Sequence, residues 1–123
     1  MKRDMEIVRL LLLQQETGES PQELNGYEEQ LVVYNAALML EAGLIVGRAI
    51  EDETGTPVSV VILRLTWAGH DFLDSTRDPS IWATAKERVL KPGMSWTFSI
   101  LLEFLKSEAQ RRLGSVIGLP SPP

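Results

Sequence analysis

The chain has 123 residues, of which 44% are hydrophobic and 24% are charged, and its formal net charge at pH 7 is −5. We expect one soluble folded domain, because two domains of about 60 residues each would need metal or disulfide staples. The chain has no cysteine, which excludes disulfides, cysteine nucleophiles and thiolate zinc sites. It shows neither an apolar run near the ~20 residues of a membrane span nor a signal-peptide pattern, so the expected location is the cytoplasm.

The charge is distributed unevenly along the chain. Residues 1–85 hold fourteen acidic and six basic side chains, whereas residues 86–123 hold three acidic and six basic. An acidic body repels nucleic acid unless a local basic patch outweighs the net field. A DNA-binding function therefore requires such a patch.

Three helical segments are predicted in the first third of the chain. Apolar residues recur at spacings of three and four over residues 2–16, with Asp4 in the first turn, where the helix dipole favours an acid. The sequence Ser-Pro-Gln-Glu at 20–23 marks a second helix start with Ser20 as its N-cap, but Asn-Gly at 25–26 ends it after about one turn. A third helix is predicted over residues 27–42.

A β-hairpin is predicted after the third helix. Gly43 stands where a left-handed C-cap is expected. Residues 44–50 and 58–65 are rich in Val, Ile and Leu, and the residues between them have turn chemistry. We therefore expect two strands joined by an acidic loop over residues 51–57.

Three more helices are predicted in the second half. The expected caps are Thr66 before a helix over 67–75, Asp78 before a helix over 79–90, and Ser95 before a helix over 96–113 that ends at Gly114. Residues 1–114 form the predicted domain. The proline-rich residues 115–123 are expected to be a flexible tail.

The order helix, short helix, helix and hairpin is that of a winged helix-turn-helix domain, in which the third helix docks in the major groove and the hairpin is the wing. Residues 37–45 resemble the end of a winged-helix recognition helix, and residues 65–70 resemble the leucine-threonine-x-x-glycine motif that follows the wing in many bacterial regulators. The expected fold class is α+β and mainly helical, a winged helix with additional C-terminal helices.

A narrower resemblance covers nearly the whole chain. The chain resembles a family of small bacterial and prophage-borne winged helix-turn-helix proteins, a domain of unknown function. The resemblance lies in the opening residues 1–9, Gly-Tyr at 26–27, the stretch 64–74 and Ile-Trp at 81–82. Asn35 stands where similar sequences tend to have histidine. The resemblance implies the winged-helix fold and brings no activity with it.

The predicted recognition helix carries few residues that read DNA bases. Its candidates are Gln30 and Asn35, because Glu28 and Glu29 occupy its first turn and no Lys or Arg lies between residues 26 and 47. The wing tip at 51–53 is acidic as well. The candidate phosphate contacts lie elsewhere, on the first helix and in the C-terminal half: Lys2, Arg3, Lys86, Arg88 and Lys91. The alternative is that these cations are solvated helix faces.

The face formed by Trp67, His70, Asp71 and Asp74 is the nearest approach to a chemical constellation. A His and an Asp one helical turn apart could hold a metal or form an acid–base pair, but a metal would need a third protein ligand. We expect a structural role instead, with Trp67 packed on a following helix and His70 bonded to an acid or carbonyl. No metal, cofactor or catalytic site is predicted, and the chain is not expected to be an enzyme.

The last predicted helix has two apolar stripes. The second stripe, Trp96, Ile100 and Phe104, suggests a homodimer surface, with a wide core face as the alternative. The sequence thus predicts a winged-helix module that acts by macromolecular recognition, with DNA-linked transcriptional or prophage regulation as the leading version. The alternative is a protein-interaction adaptor that keeps the fold and does not bind DNA.

Overall fold

The computed structural model describes residues 1–116, with side chains up to Gly114. It confirms a mixed α+β fold that is mainly helical, with five α-helices and a two-stranded antiparallel sheet in the described part of the chain. These residues divide into two compact units, Met1–Leu73 and a second unit that starts at Asp74. The prediction of one domain over residues 1–114 stays a prediction.

The first unit opens with α1 (Met5–Thr17), whose buried apolar face accounts for its formation. Asp4 is the N-cap of this helix rather than part of its first turn, because its carboxylate accepts a hydrogen bond of 2.9 Å from the Glu6 amide. A short 3-10 helix (Gln22–Gly26) follows. The predicted cap at Ser20 is wrong, since Pro21 holds the N-cap position and makes no side-chain cap bond.

Helix α2 (Glu29–Glu41) leads into the predicted hairpin, which is confirmed. Strand β1 (Ile45–Glu51) pairs with β2 (Pro57–Leu65) in an antiparallel register that matches Ala49 with Val60. Strand β1 is shifted by one residue from its predicted place, β2 is one residue longer, and the loop is shorter than predicted, because backbone pairing continues to Glu51 and Pro57.

The threonine and glycine of the motif at 65–69 join the hairpin to the end of α2. The Thr66 hydroxyl donates to the Gly43 carbonyl and accepts from the Gly69 amide at 3.1 Å, so Thr66 caps α3 (Trp67–Ser75) as predicted. A Cβ on Gly69 would lie 2.0 Å from the Leu44 carbonyl oxygen. Only glycine permits this close approach, and Gly43 adopts the expected positive φ of 74°.

The second unit contains α4 (Pro79–Arg88) and α5 (Phe98–Val116), which pack on each other through buried apolar residues. Asp78 caps α4 as predicted, through a bond of 2.8 Å from the Ser80 amide, and its carboxylate also pairs with Arg112 of α5 at 3.4 Å.

The start and end of α5 differ from the prediction. Thr97, not Ser95, accepts from a first-turn amide, that of Ile100 at 3.2 Å, and the helix continues past Gly114. Gly114 does not end the helix because glycine is tolerated within helices at a modest cost. Of the predicted tail at 115–123, the first two residues belong to α5, and residues 117–123 lie outside the described residues.

Candidate macromolecular interface

The structure removes Asn35 from the set of contact residues. Its side chain is 0% exposed. The carbonyl oxygen accepts from the Asp4 amide at 2.7 Å, and the amide nitrogen donates to the carbonyls of Lys2 at 3.2 Å and Leu31 at 3.0 Å. The prediction that Asn35 reads DNA or contacts a partner is therefore wrong, because these internal bonds use the side chain to hold the N-terminal segment on α2.

Gln30 is exposed and lies beside the hairpin loop. The start of α2 and this loop together enclose a cleft of about 390 Å³. Its lining combines a side-chain amide, a threonine hydroxyl, two carboxylates and apolar side chains: Met1, Glu29, Gln30, Val33, Asp52, Thr56, Pro57 and Val58. Glu29 and Asp52 are far apart in sequence, so the fold is what brings these two acids to one cleft. We call this the acidic cleft.

The hairpin loop presents its acids in an ordered conformation. The Asp52 carboxylate accepts from the Thr54 hydroxyl at 2.7 Å, from the Thr54 amide at 2.8 Å and from the Thr56 amide at 3.0 Å. These hydrogen bonds lower the pKa of Asp52, with the Thr54 hydroxyl contributing most. Asp52 is exposed and ionised at neutral pH, so it keeps its negative charge there.

A second cleft lies between α1, α2 and the hairpin, and we call it the apolar cleft because none of its lining residues is charged. It has a volume of about 430 Å³. Six of its nine lining residues have apolar side chains; the lining is Leu11, Gln14, Gln15, Gly18, Val32, Val33, Ala36, Val60 and Ile62. Sequence reasoning missed this cleft because it treated the hairpin only as a pair of strands. The available signal was that β2 is apolar at consecutive positions, so both of its faces carry apolar side chains.

The predicted phosphate contacts are all exposed, and they fall in both units. Lys2 and Arg3 precede α1, so they do not lie on the first helix as predicted. Lys86 and Arg88 lie in the last turn of α4, and Lys91 follows that helix. No Lys or Arg lines the acidic cleft. Cations at the end of α4 are also where the helix dipole favours positive charge, which gives them a structural reason to be there.

The face formed by Trp67, His70, Asp71 and Asp74 is open to solvent. Trp67 is 84% exposed, so the prediction that it packs on a following helix is wrong. His70 and Asp71 are exposed as well, and Asp74 forms an ion pair of 2.8 Å with Arg77. Within residues 1–116, no group of three His, Cys, Asp or Glu side chains is arranged to hold a metal ion.

The predicted dimer surface is only partly on one helix. Trp96 precedes α5 and is half-buried, whereas Ile100 is 48% exposed and Phe104 is half-buried on the helix itself. The predicted spacing of four from Trp96 therefore does not define a helical stripe. Ile100 and Phe104 remain as the apolar residues of α5 for which a dimer contact is predicted.

Comparison with known proteins agrees with the resemblance at the coarse level. A family described as "Hypothetical protein (DUF2513)" matches residues 2–95, which include every lining residue of the two clefts except Met1 and end before α5. An "Uncharacterized protein" of Haemophilus influenzae is 28% identical over 123 residues, covering 95% of this chain and 99% of that protein. No solved structure matches. Within residues 1–116, no helix has the length and apolarity needed to cross a bilayer. The match over residues 2–95 shows that the chain belongs to the Hypothetical protein (DUF2513) family.

Proposed function

We propose that the protein is a non-enzymatic winged-helix module that binds a cationic segment of a partner protein at its acidic cleft. The single observation that carries the proposal is that Glu29 of α2 and Asp52 of the hairpin loop line one cleft. The order of helices and hairpin in the first unit is compatible with a winged helix. In such a domain these two elements are the ones that approach a ligand.

The electrostatics of this surface favour a cation over a polyanion. Glu28, Glu51 and Glu53 are exposed beside the two acids of the cleft. Two unit charges about 7 Å apart in water interact by about 0.6 kcal/mol, which is roughly threefold in affinity. Several such charges together attract Lys or Arg side chains and repel phosphate by the same amounts. We therefore propose that this surface recognises a protein rather than DNA.

The test is the affinity of the full chain for an oligo-lysine peptide at increasing salt. Replacing Glu29 by glutamine and Asp52 by asparagine, the two acids that line the cleft, should weaken binding about tenfold at ~20 mM salt and much less at ~500 mM, where screening is strong. Replacing Glu19 and Glu23 by glutamine is the matched control, because it removes the same charge from exposed sites outside the cleft. Equal losses in the two double variants would attribute binding to net charge and contradict the proposal.

A second candidate, DNA-linked regulation, is supported by a different observation. Lys86, Arg88 and Lys91 place three exposed cations within six residues at the end of α4. If the protein binds duplex DNA, replacing all three by glutamate should abolish binding, and replacing Glu28 and Glu29 by lysine should strengthen it. Failure to bind random duplex at ~20 mM salt, where non-specific attraction is strongest, would eliminate this candidate.

A further inference from the structure

The acidic cleft and the apolar cleft of the first unit adjoin each other, and we call the pair the groove. They share Val33, and they follow each other along the same two elements. On α2 the lining runs from Glu29 to Ala36, and on β2 it runs from Val58 to Ile62. The groove therefore carries two acids at the end near the hairpin loop, whereas its end near α1 is lined by uncharged and mainly apolar residues.

The dimensions of the groove suit a short helix. Seven residue steps along α2 span about 10 Å, and four steps along β2 span about 14 Å. A helix advances about 5.4 Å per turn, so the groove accommodates about two turns. The two clefts, of about 430 and 390 Å³, are each within the size range of pockets that hold ligands.

The apolar end leaves side chains partly uncovered. Val32, Val33, Val60 and Ile62 are all half-buried, although each contributes to a concave surface. A partner that covers them removes apolar area from water. Gln14 and Gln15 also line this end, and Gln15 already donates to the Leu63 carbonyl at 3.2 Å, which ties α1 to β2.

We infer that this groove binds an amphipathic helix of a partner protein, with apolar side chains over Val33, Val60 and Ile62 and a Lys or Arg one to two turns away facing Glu29 and Asp52. The acidic end favours a partner with a Lys or Arg side chain. The apolar end favours a partner that carries apolar side chains as well. Docking an amphipathic helix in an apolar groove is an established mode of peptide recognition. The inference rests on the proposed function and adds the apolar contact and the spacing between charge and apolar groups.

The test uses the full chain and a set of synthetic helix-forming peptides of about four turns. The lead peptide carries two lysines in one turn and leucines on the same face in the next two turns. One comparison peptide replaces the leucines by serine, a second replaces the lysines by glutamate, and a third moves the lysines to the opposite face. Binding is followed by chemical-shift changes in the ¹⁵N-labelled protein. We expect the lead peptide to bind tightest and to shift the amides of Val33 and Val60.

Variants of β2 supply a matched pair. Val60→Thr alters the groove, whereas Val61→Thr makes the same chemical change at the next residue, which is exposed and does not line either cleft. Val60→Thr should weaken the lead peptide about fourfold or more, and Val61→Thr should leave it unchanged. Val33→Thr is a second groove variant on α2, and near-ultraviolet circular dichroism checks that each variant folds.

The possible outcomes are distinguishable. If the serine peptide binds as well as the lead peptide, the groove inference is overturned while the proposed cation recognition stands. If no lysine-bearing peptide binds, both are overturned. If the chain associates with itself and Val60→Thr abolishes that association without any peptide binding, the occupant is a second copy, and the inferred partner is wrong.

Discussion

Replacing Asn35 by alanine tests the claim that this side chain is an internal brace. The substitution removes three hydrogen bonds to the main chain, at Asp4, Lys2 and Leu31, from a site with 0% exposure. Each bond contributes about 1 kcal/mol net, and unsatisfied groups left behind add to the cost. We expect a loss of about 3 kcal/mol in the free energy of unfolding, which corresponds to a fall of about 10–15 °C in Tm for a chain of this size.

Asn35→Asp sharpens the same test because it keeps the size of the side chain. It preserves the acceptor for the Asp4 amide but turns an oxygen toward the carbonyls of Lys2 and Leu31. Burial raises the pKa of the introduced carboxyl in the folded state above about 3.9, its value in the unfolded chain. The variant should therefore lose stability as pH rises from about 3.9 through the raised pKa.

Chemical denaturation at several pH values measures both effects. Asn25→Ala is the control, because Asn25 is exposed, and it should change the free energy of unfolding by less than about 0.5 kcal/mol. The reasoning is refuted if Asn35→Ala is as mild as Asn25→Ala, or if the stability of Asn35→Asp relative to the unchanged protein does not depend on pH.

The remaining predictions concern single positions. Gly47→Ala should lower the free energy of unfolding by more than about 3 kcal/mol, because a Cβ there would lie 2.0 Å from the Val61 carbonyl oxygen. Gly26→Ala is the control because a Cβ there has open space, and equal losses in chemical denaturation would contradict the prediction. Thr54→Val should raise the lowered pKa of Asp52 toward its ordinary value in a carboxyl NMR titration, and an unchanged pKa would refute the assignment. An acid with a lowered pKa contributes stability that is lost as pH falls through that pKa. The loop of Thr54→Val should therefore loosen at a higher pH than the loop of the unchanged protein. Trp67→Ala should change the free energy of unfolding by less than about 0.5 kcal/mol, because Trp67 is exposed. Trp82 is 3% exposed, so Trp82→Ala should lower it by about 3–5 kcal/mol, and similar losses in the two variants would contradict this difference in burial. Phe104→Glu should weaken the predicted homodimer without unfolding the chain, and light scattering that gives 13.7 kDa at every concentration would remove the dimer.

Local signals in the sequence were sufficient to predict the element order. Asp78 before Pro79 marks a cap that depends only on neighbouring residues, and the structure has it there. Thr66 caps α3 for the same reason. The error at Ser95 arose because Thr97, two residues later, can cap the helix as well. At Ser20 the short helix begins one residue later than predicted, and no side chain caps it.

The candidate site was less predictable because it depends on contacts between distant residues. Asn35 has the side chain of a base reader, and nothing local shows that the segment at 2–4 folds over it. Trp67 has the side chain of a core residue, yet it lies in the open. The acids at 28–29 and 51–53 were visible in the sequence as a problem for DNA binding. Only the fold shows that Glu29 and Asp52 line the same cleft and that apolar residues continue it.

Mapping the binding site of a cationic peptide on the labelled protein tests the central claim most directly. A ¹⁵N NMR titration with oligo-lysine at ~20 mM salt reports which amides lie at the contact. The account predicts shifts concentrated at Glu29, Gln30, Asp52 and Thr56, which line the acidic cleft. Shifts spread over all exposed acids of the first unit, including Glu19 and Glu23, would contradict it.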